Sequence, residues 1–412
     1  MSVAASTRLP ATAEPRPPRY PATYWILVGG FGISRIGAVL IPYLTLYLVN
    51  QRHLTSGSAG QVLAAFGAGW IAGQPLAGAA ADRLGRKPTI LASLTMTAGA
   101  YTLLTVATTI SELIALAALI GLVFDGARTA ITAWIADLVP AHARTSSFSI
   151  QYWLINAGGA VSGILGGYLA SDHLTWLCLV DAGTCAAFAA VILTLPHRTE
   201  APTQTPALAA PGQAASVRAA LADRRLLAFT ILTLLTLTAY QQMTYGIPLT
   251  IRAAGLPPTT YATVTVVNAV AVLTLQPLLQ PVIKRLRPLH NCVAGSLAIT
   301  VGMAANAPAR STAGFALAAV VWTVGEVAFF VGATSYVADL APDHARGRYF
   351  GIWGASLGGS ALLAPLLGGA VLPHGTDSLW ACTAAIGALS AAGLALQAAR
   401  ARRHREPTSP DS

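Results

Sequence analysis

The sequence predicts an all-α membrane protein of twelve transmembrane helices, arranged as two six-helix halves of like orientation. Three observations carry that expectation. The 412-residue chain is 54% hydrophobic and only 10% charged, with a mean hydropathy of +0.60, which a soluble domain of this length does not tolerate. Its apolar runs recur at about the 20 residues that cross a bilayer. The chain also matches itself at an offset of 202 residues.

In order, the spans are 22–48, 58–80, 88–108, 111–138, 145–172 and 174–196, then 226–252, 259–283, 288–308, 311–340, 347–373 and 376–398. The opening segment 1–21 is polar and Pro-rich, with no apolar stretch of its own. No cleaved signal peptide is therefore expected, and the first span directs insertion. The domains follow as a tail (1–21), a first bundle (22–197), a linker (198–225), a second bundle (226–398) and a closing tail (399–412). Small residues in "NAGGAVSGILGG" (156–167) suit close approach between helices.

The net charge of +10 raises the question of a nucleic-acid partner, and the distribution of charge answers it. With the N-terminus inside, most of the 25 Lys and Arg residues fall in inside segments, while the outside loops hold only Arg52, Arg252 and Arg310. That asymmetry places both termini in the cytoplasm and requires an even number of crossings. The four cysteines lack metal-type spacing and lie in or beside apolar spans, as packing residues do. All eight histidines lie in loops, at span ends or in the tail. No metal, cofactor or enzymatic centre is expected.

The repeat aligns "IADLVPAHARTSSFSI" (135–150) with "VADLAPDHARGRYFGI" (337–352). The same offset pairs "QPL" at 74–76 with "QPL" at 276–278, and "ILGG" (164–167) with "LLGG" (366–369). Like-oriented halves of this kind are one arrangement of secondary transporters, whose site lies near the midplane between the halves.

Between the second and third spans stands "GAAADRLGRKP" (78–88). Charges there cannot enter the hydrocarbon and mark an interface. Asp82 is suited to cap a helix start and Arg86 to pair with Asp137. On Gly78, Asp82, Arg83, Gly85, Arg86 and Lys87, and across nearly all of 22–398, the chain resembles the major facilitator superfamily. Asn156, Gly158, Ser162, Gly163, Gly166 and Gly167 resemble the fifth-helix signature of its antiporters, with Ser162 and Gly163 in place of Gly-Pro. The fourth-helix arginine of those antiporters is absent: Leu122 fills its slot and Asp125 stands where glutamine is common. The resemblance implies alternating access, with Asp82 near 345–349 and Arg86 on Asp137, latching the cytoplasmic side in the outward-open state. The second half has Lys284 where the first has Asp82, so an asymmetric gate is expected.

Five ionisable residues lie at membrane depth: Arg35, Asp125, Arg128, Asp181 and Glu326. Each costs at least about 2.5 kcal/mol on insertion scales, so partners or a wet pathway are required. Arg35 and Asp125 lie at similar depth and are expected to pair; Asp125 and Arg128, as i,i+3 neighbours, are the second pairing. Glu326 has no cation nearby in sequence. It is the leading candidate for a proton carrier or a cation-attracting substrate site, the alternative being a lasting hydrogen bond to a neighbour. Tyr43, Trp134, Trp153, Tyr240, Gln241, Gln242, Tyr245, Trp322 and Phe329 are the candidate cavity residues.

The expected function is proton-coupled efflux of hydrophobic or amphipathic drugs or metabolites across a bacterial plasma membrane. The partners would be a small-molecule substrate, protons and the lipid bilayer, without nucleic acid, and the protein would act as a monomer driven by the proton gradient. The alternatives are an uptake symporter or uniporter of the same fold, or a transport-dead receptor or scaffold.

Overall fold

The computed structural model describes residues 20–139, 144–172, 174–195, 221–342 and 346–403. Most of both tails and of the linker lies outside these, as do the side chains of Asp82, Asn156, Arg346 and Arg348. Among the described residues there are twelve long helical segments. In the first half these are α1 (Ala22–Gln51), α2 (Ser56–Arg83), α3 (Arg86–Val106), α4 (Ile110–Phe124 continued by Gly126–Leu138), α5 (Arg144–Asp172) and α6 (Leu174–Thr194). In the second half they are α7 (Arg224–Ala253), α8 (Pro258–Arg285), α9 (Pro288–Ala304), α10 (Thr312–Leu340), α11 (Arg346–Val371) and α12 (Thr376–Arg403).

Ten of them are long and apolar enough to cross a membrane. Successive helices reverse direction, so the molecule has two faces. One, here the basic face, carries Arg83, Arg86, Lys87, Arg224, Arg225, Lys284, Arg285, Arg287 and Arg400; the far face carries Arg52, Arg252 and Arg310.

Three helices break at mid-course, and in two of them the cause and its repair can be read residue by residue. Pro42 has no N–H, and its ring collides with the carbonyl four residues back, at Ala38. The chain leaves α geometry there, with Ala38 at φ −72°, ψ 60°. The freed Val39 and Leu40 N–H groups donate to the two Asp181 carboxylate oxygens at 3.1 and 2.9 Å. The freed Ala38 carbonyl accepts from Ser162 Oγ at 2.7 Å. In α4 the break falls at Asp125 (φ −102°, ψ 0°), and a single side chain repairs it. Ser93 Oγ of α3 donates to the Val123 carbonyl at 2.6 Å and accepts from Ala127 N–H at 2.9 Å. Each repair satisfies a backbone group that hydrocarbon would leave orphaned. The third break interrupts α7 between Tyr240 and Gly246.

The repeat is visible in contacts as well as letters. A Cβ at Gly166 would stand 2.3 Å from the Tyr43 ring, and one at Gly368 would stand 2.4 Å from the Tyr245 ring. Both members of the second pair lie 202 residues beyond the first.

Candidate functional site

The two halves meet along α2 with α11 and α5 with α8, and the glycines of these helices record how far each contact extends. Starting at the far face, a Cβ at Gly60 would lie 2.6 Å from the Pro365 carbonyl oxygen, one at Gly67 2.5 Å from Leu362 N, and one at Gly358 2.5 Å from the Ile71 side chain. Toward the basic face the contact ends: Gly78, Gly351 and Gly354 have nothing within 4 Å of a Cβ. On the other seam Gly167 abuts Ala262 and Gly163 abuts Thr265, whereas Gly159 faces open space. Thr45 Oγ1 donates to the Thr244 carbonyl at 2.8 Å, Tyr245 Oη bonds the Ser56 carbonyl, and the Tyr43 and Tyr261 rings meet edge to face at 5.2 Å. These contacts between halves all belong to the far side. The described residues thus form a molecule closed at the far face and parted toward the basic face.

Asp125 lies where the parting begins. Its carboxylate takes Arg128 Nε at 2.6 Å and a second, very short contact from the same guanidinium, giving a fork between i and i+3 neighbours. From α2, Gln74 Nε2 reaches it at 3.0 Å and Trp70 Nε1 at 3.3 Å. The Asp125 side chain is 6% exposed and that of Arg128 40% exposed. At mid-depth a guanidinium so open faces water in the gap, since in hydrocarbon its donors would have no partners.

The pairing of Arg35 with Asp125 expected from depth alone does not form. Asp125 is already filled by Arg128 and Gln74, while Arg35 places its guanidinium over the Phe31 ring at 4.8 Å and the Phe124 ring at 5.3 Å. Arg35 Nε has no hydrogen-bond partner among the described residues. It lines a cavity of about 20 Å³ inside the first half, together with Asp181, Ser93 and Tyr101, which is enough for one water molecule. Asp181 itself is 2% exposed and is occupied by the α1 break.

Glu326 lies midway along α10. Asn268 Nδ2 of α8 donates to its Oε2 at 2.8 Å and to Thr323 Oγ1 at 3.0 Å, and Tyr240 lies within hydrogen-bonding reach of the same carboxyl. Among the described residues no Lys or Arg forms an ion pair with it. Asn268 follows Thr265 by one turn in the direction in which the halves part, so this carboxyl too lies at the inner end of the gap.

The nine aromatic and amide residues separate into groups. Tyr43, Gln242, Tyr245, Trp322 and Phe329 are fully buried, and Trp134 is 7% exposed within the first-half core. Tyr43 Oη donates to the Gly163 carbonyl at 2.8 Å, and Gln242 Nε2 to the Ala364 carbonyl at 2.9 Å. These six make packing and closure contacts rather than an open wall. Tyr240 stands edge-on to Trp322 at 5.7 Å, beside Glu326. Gln241 is half-buried in the α7 break, and Trp153 is 56% exposed on α5.

On the basic face Arg86 Nε bonds Asp137 Oδ2 at 3.2 Å. Lys87 Nζ reaches the Leu193 carbonyl at 3.0 Å and the Leu195 carbonyl more closely still, placing a cation on the unsatisfied carbonyl end of α6. Gly85, at φ +95°, turns the chain between α2 and α3 where a Cβ would be strained. Arg83 is exposed. The expected approach of Asp82 to 345–349 falls on side chains outside the described residues. In α5, Gly158 lies against Arg35, and Gly163, Gly166 and Gly167 against Thr265, Tyr43 and Ala262. The stretch therefore serves close packing.

Sequence reasoning missed Trp70, Gln74, Ser93, Asn268 and Thr323. Asn268 alone carried a signal, as an isolated amide in an apolar span; the rest depend on which helices become neighbours.

This geometry has counterparts. The family model described as Major Facilitator Superfamily matches residues 26–327 and 247–412. YqjV of Bacillus subtilis, an MFS-type transporter, is 26% identical over 360 residues, 85% of this chain and 86% of its own. YdeE of Escherichia coli, likewise an MFS-type transporter, is 27% identical over 385 residues, 90% and 93%. The multidrug resistance protein MdtH of Klebsiella pneumoniae is 27% identical over 353 residues, 82% and 83%. Among solved structures, a variant of the nucleoside transporter NupG superposes with a TM-score of 0.79 at 15% identity, over 91% of this chain and 99% of that one. A POT family peptide transporter superposes at 0.77 and 18% identity, over 95% and 99%. With the repeat, the loop between α2 and α3 and two parted six-helix halves in place, the match over the whole bundle completes the case: this multi-pass membrane protein belongs to the major facilitator superfamily and is a secondary transporter, not an enzyme.

Proposed function

We propose that the protein exports hydrophobic or amphipathic small molecules in exchange for protons, in a bacterial inner membrane, with its basic face in the cytoplasm and both termini there. The reading is supported chiefly by Glu326, a carboxyl at the inner end of the gap whose partners, Asn268 and Tyr240, are neutral. Taking up a proton there strands no opposing charge. Protonating Asp125 would strand the Arg128 guanidinium that forks onto it, so Asp125 keeps its pair and shapes the cavity wall. Efflux of drug-like cargo is further supported by the name of MdtH, a multidrug resistance protein.

The parted basic side would admit cargo, and rocking of the two halves about the far-side seams would release it. A bound cation and a proton would compete for the one carboxyl, which couples their movements without direct contact between them.

The test uses the full chain in proteoliposomes with an amphipathic fluorescent cation and an imposed pH gradient. Wild type should move the dye against its gradient and lose that movement with an uncoupler. Glu326→Gln should abolish gradient-driven movement while dye binding stays measurable. Gradient-driven movement retained by Glu326→Gln overturns the assignment.

A further inference from the structure

The second half contains a cleft unrelated to the gap. It opens on the basic face between the starts of α7 and α9 and the ends of α10 and α12, with a volume of about 580 Å³. Arg224, Arg225, Arg287 and Arg400 line it, and among the described residues none of the four forms an ion pair. Asp339 is the one carboxylate in the lining. A topological bias needs basic residues on one side of the membrane, but does not require arginines from separate helices to converge on one opening. The start of α9 adds to the positive potential, since its first turn has no side-chain cap.

The walls argue for what enters. Leu232 and Leu396 continue the lining away from the arginines, with Leu289 beside Arg287 at the start of α9; Leu232 lies two turns along α7 from Arg225, and Leu396 one turn from Arg400, 57% exposed. The cleft therefore passes from guanidinium groups at the surface to aliphatic side chains at acyl depth. A free phosphate would use only the first part. A phosphodiester between forked arginine donors, with its chains along the leucines, uses both.

We propose that this cleft is a binding site for an anionic phospholipid of the leaflet on the basic face. The site tethers α7, α9 and α12 at one level and is independent of the cargo pathway.

Native mass spectrometry of the full-length protein, titrated with phosphatidylglycerol, with phosphatidylcholine of the same chains and with glycerol 3-phosphate, tests it. Phosphatidylglycerol should bind at least about tenfold more tightly than phosphatidylcholine. Glycerol 3-phosphate should not displace it at matched concentration. The triple variant Arg224→Gln, Arg287→Gln, Arg400→Gln should weaken the anionic lipid at least about tenfold, while Lys284→Gln with Arg285→Gln, also basic-face residues but outside the cleft, leaves it unchanged. Equal binding of the two lipids overturns the site, as does equal loss in the two variants. Displacement by glycerol 3-phosphate overturns the lipid in favour of a soluble phosphate. The lipid comparison on wild type stands even if the triple variant does not fold.

Discussion

Removing the Asp181 carboxylate should destabilise the protein through the backbone of α1, which lies 142 and 141 residues away in sequence and is held by hydrogen bonds of 3.1 and 2.9 Å. Asp181→Ala leaves the Leu40 N–H without its acceptor and the Val39 N–H with only the tight-turn contact to the Gly37 carbonyl at 2.7 Å, beside a cavity with room for one water molecule. At about 1–3 kcal/mol for a buried donor left unsatisfied, the cost is about 1–3 kcal/mol. Asp181→Asn keeps one acceptor oxygen and should cost about half as much. Pro42 and Asp181 are also coupled through the break. With Pro42→Ala the Ala38 carbonyl regains a helical donor, the segment can close into continuous α-helix, and Val39 and Leu40 recover helical acceptors. Asp181→Ala should therefore cost less on the Pro42→Ala background, by at least about 1 kcal/mol. The assay is denaturant or thermal unfolding of the five purified proteins, wild type, the three single variants and the double variant, in one detergent. Additive losses, or an Asp181→Ala protein as stable as Asp181→Asn, would refute the account of the break.

Other perturbations test the site and its closure. Arg128→Gln leaves the buried Asp125 carboxylate with only Gln74 and Trp70 as donors, and should abolish transport and cost about 3–5 kcal/mol; transport close to wild type would deny the fork its role. Gly60→Leu places side-chain atoms against the Pro365 carbonyl and should hold the far side open, read as faster labelling of a cysteine introduced on the far half of α11 by an impermeant thiol reagent. Arg86→Gln removes a contact whose Asp137 partner is 55% exposed, so it should cost under about 1 kcal/mol in unfolding, a loss that shrinks with added salt. Tyr43→Phe should lower stability without changing far-side labelling, whereas Tyr245→Phe should raise that labelling.

The elements were legible because bilayer thickness fixes their length. The expected 145–172 is Arg144–Asp172, 311–340 is Thr312–Leu340, and 58–80 is Ser56–Arg83. The span expected to end at 308 stops at Ala304, since hydropathy does not distinguish a helix end from the apolar turn that follows. The breaks were not read, although Pro42 signals one of them, because an apolar run scores alike whether straight or broken. Pairings were the least legible. Arg86 with Asp137 follows from a turn and a helix end at one interface, and Asp125 with Arg128 from a single helical face. Arg35 matched Asp125 in depth, but which donors fill a carboxylate depends on the rotation of each helix about its axis, and a span of nearly uniform apolarity gives that rotation no marker.

The two tyrosines at matching positions of the repeat explain how one duplicated packing device supports both fixed and moving parts. Each ring lies on a glycine of the helix that follows the same course in its half, Tyr43 on Gly166 and Tyr245 on Gly368. Their hydroxyls differ. Tyr43 donates to Gly163, inside its own half, while Tyr245 donates to Ser56, across to the other. A contact within one half survives any rigid rocking of the halves, and a contact between halves must break when the far face opens. Duplication supplied the same ring and the same glycine twice; divergence in the neighbouring backbone made one hydroxyl a brace and the other a latch. A latch of one hydrogen bond, worth about 0.5–1.5 kcal/mol, with Thr45 on Thr244 as a second, biases the closed state by an amount that cargo or proton binding can reverse. The seam therefore relies on glycine contacts for its fit and on a few hydroxyls for its bias, which is what a gate that opens in every cycle requires.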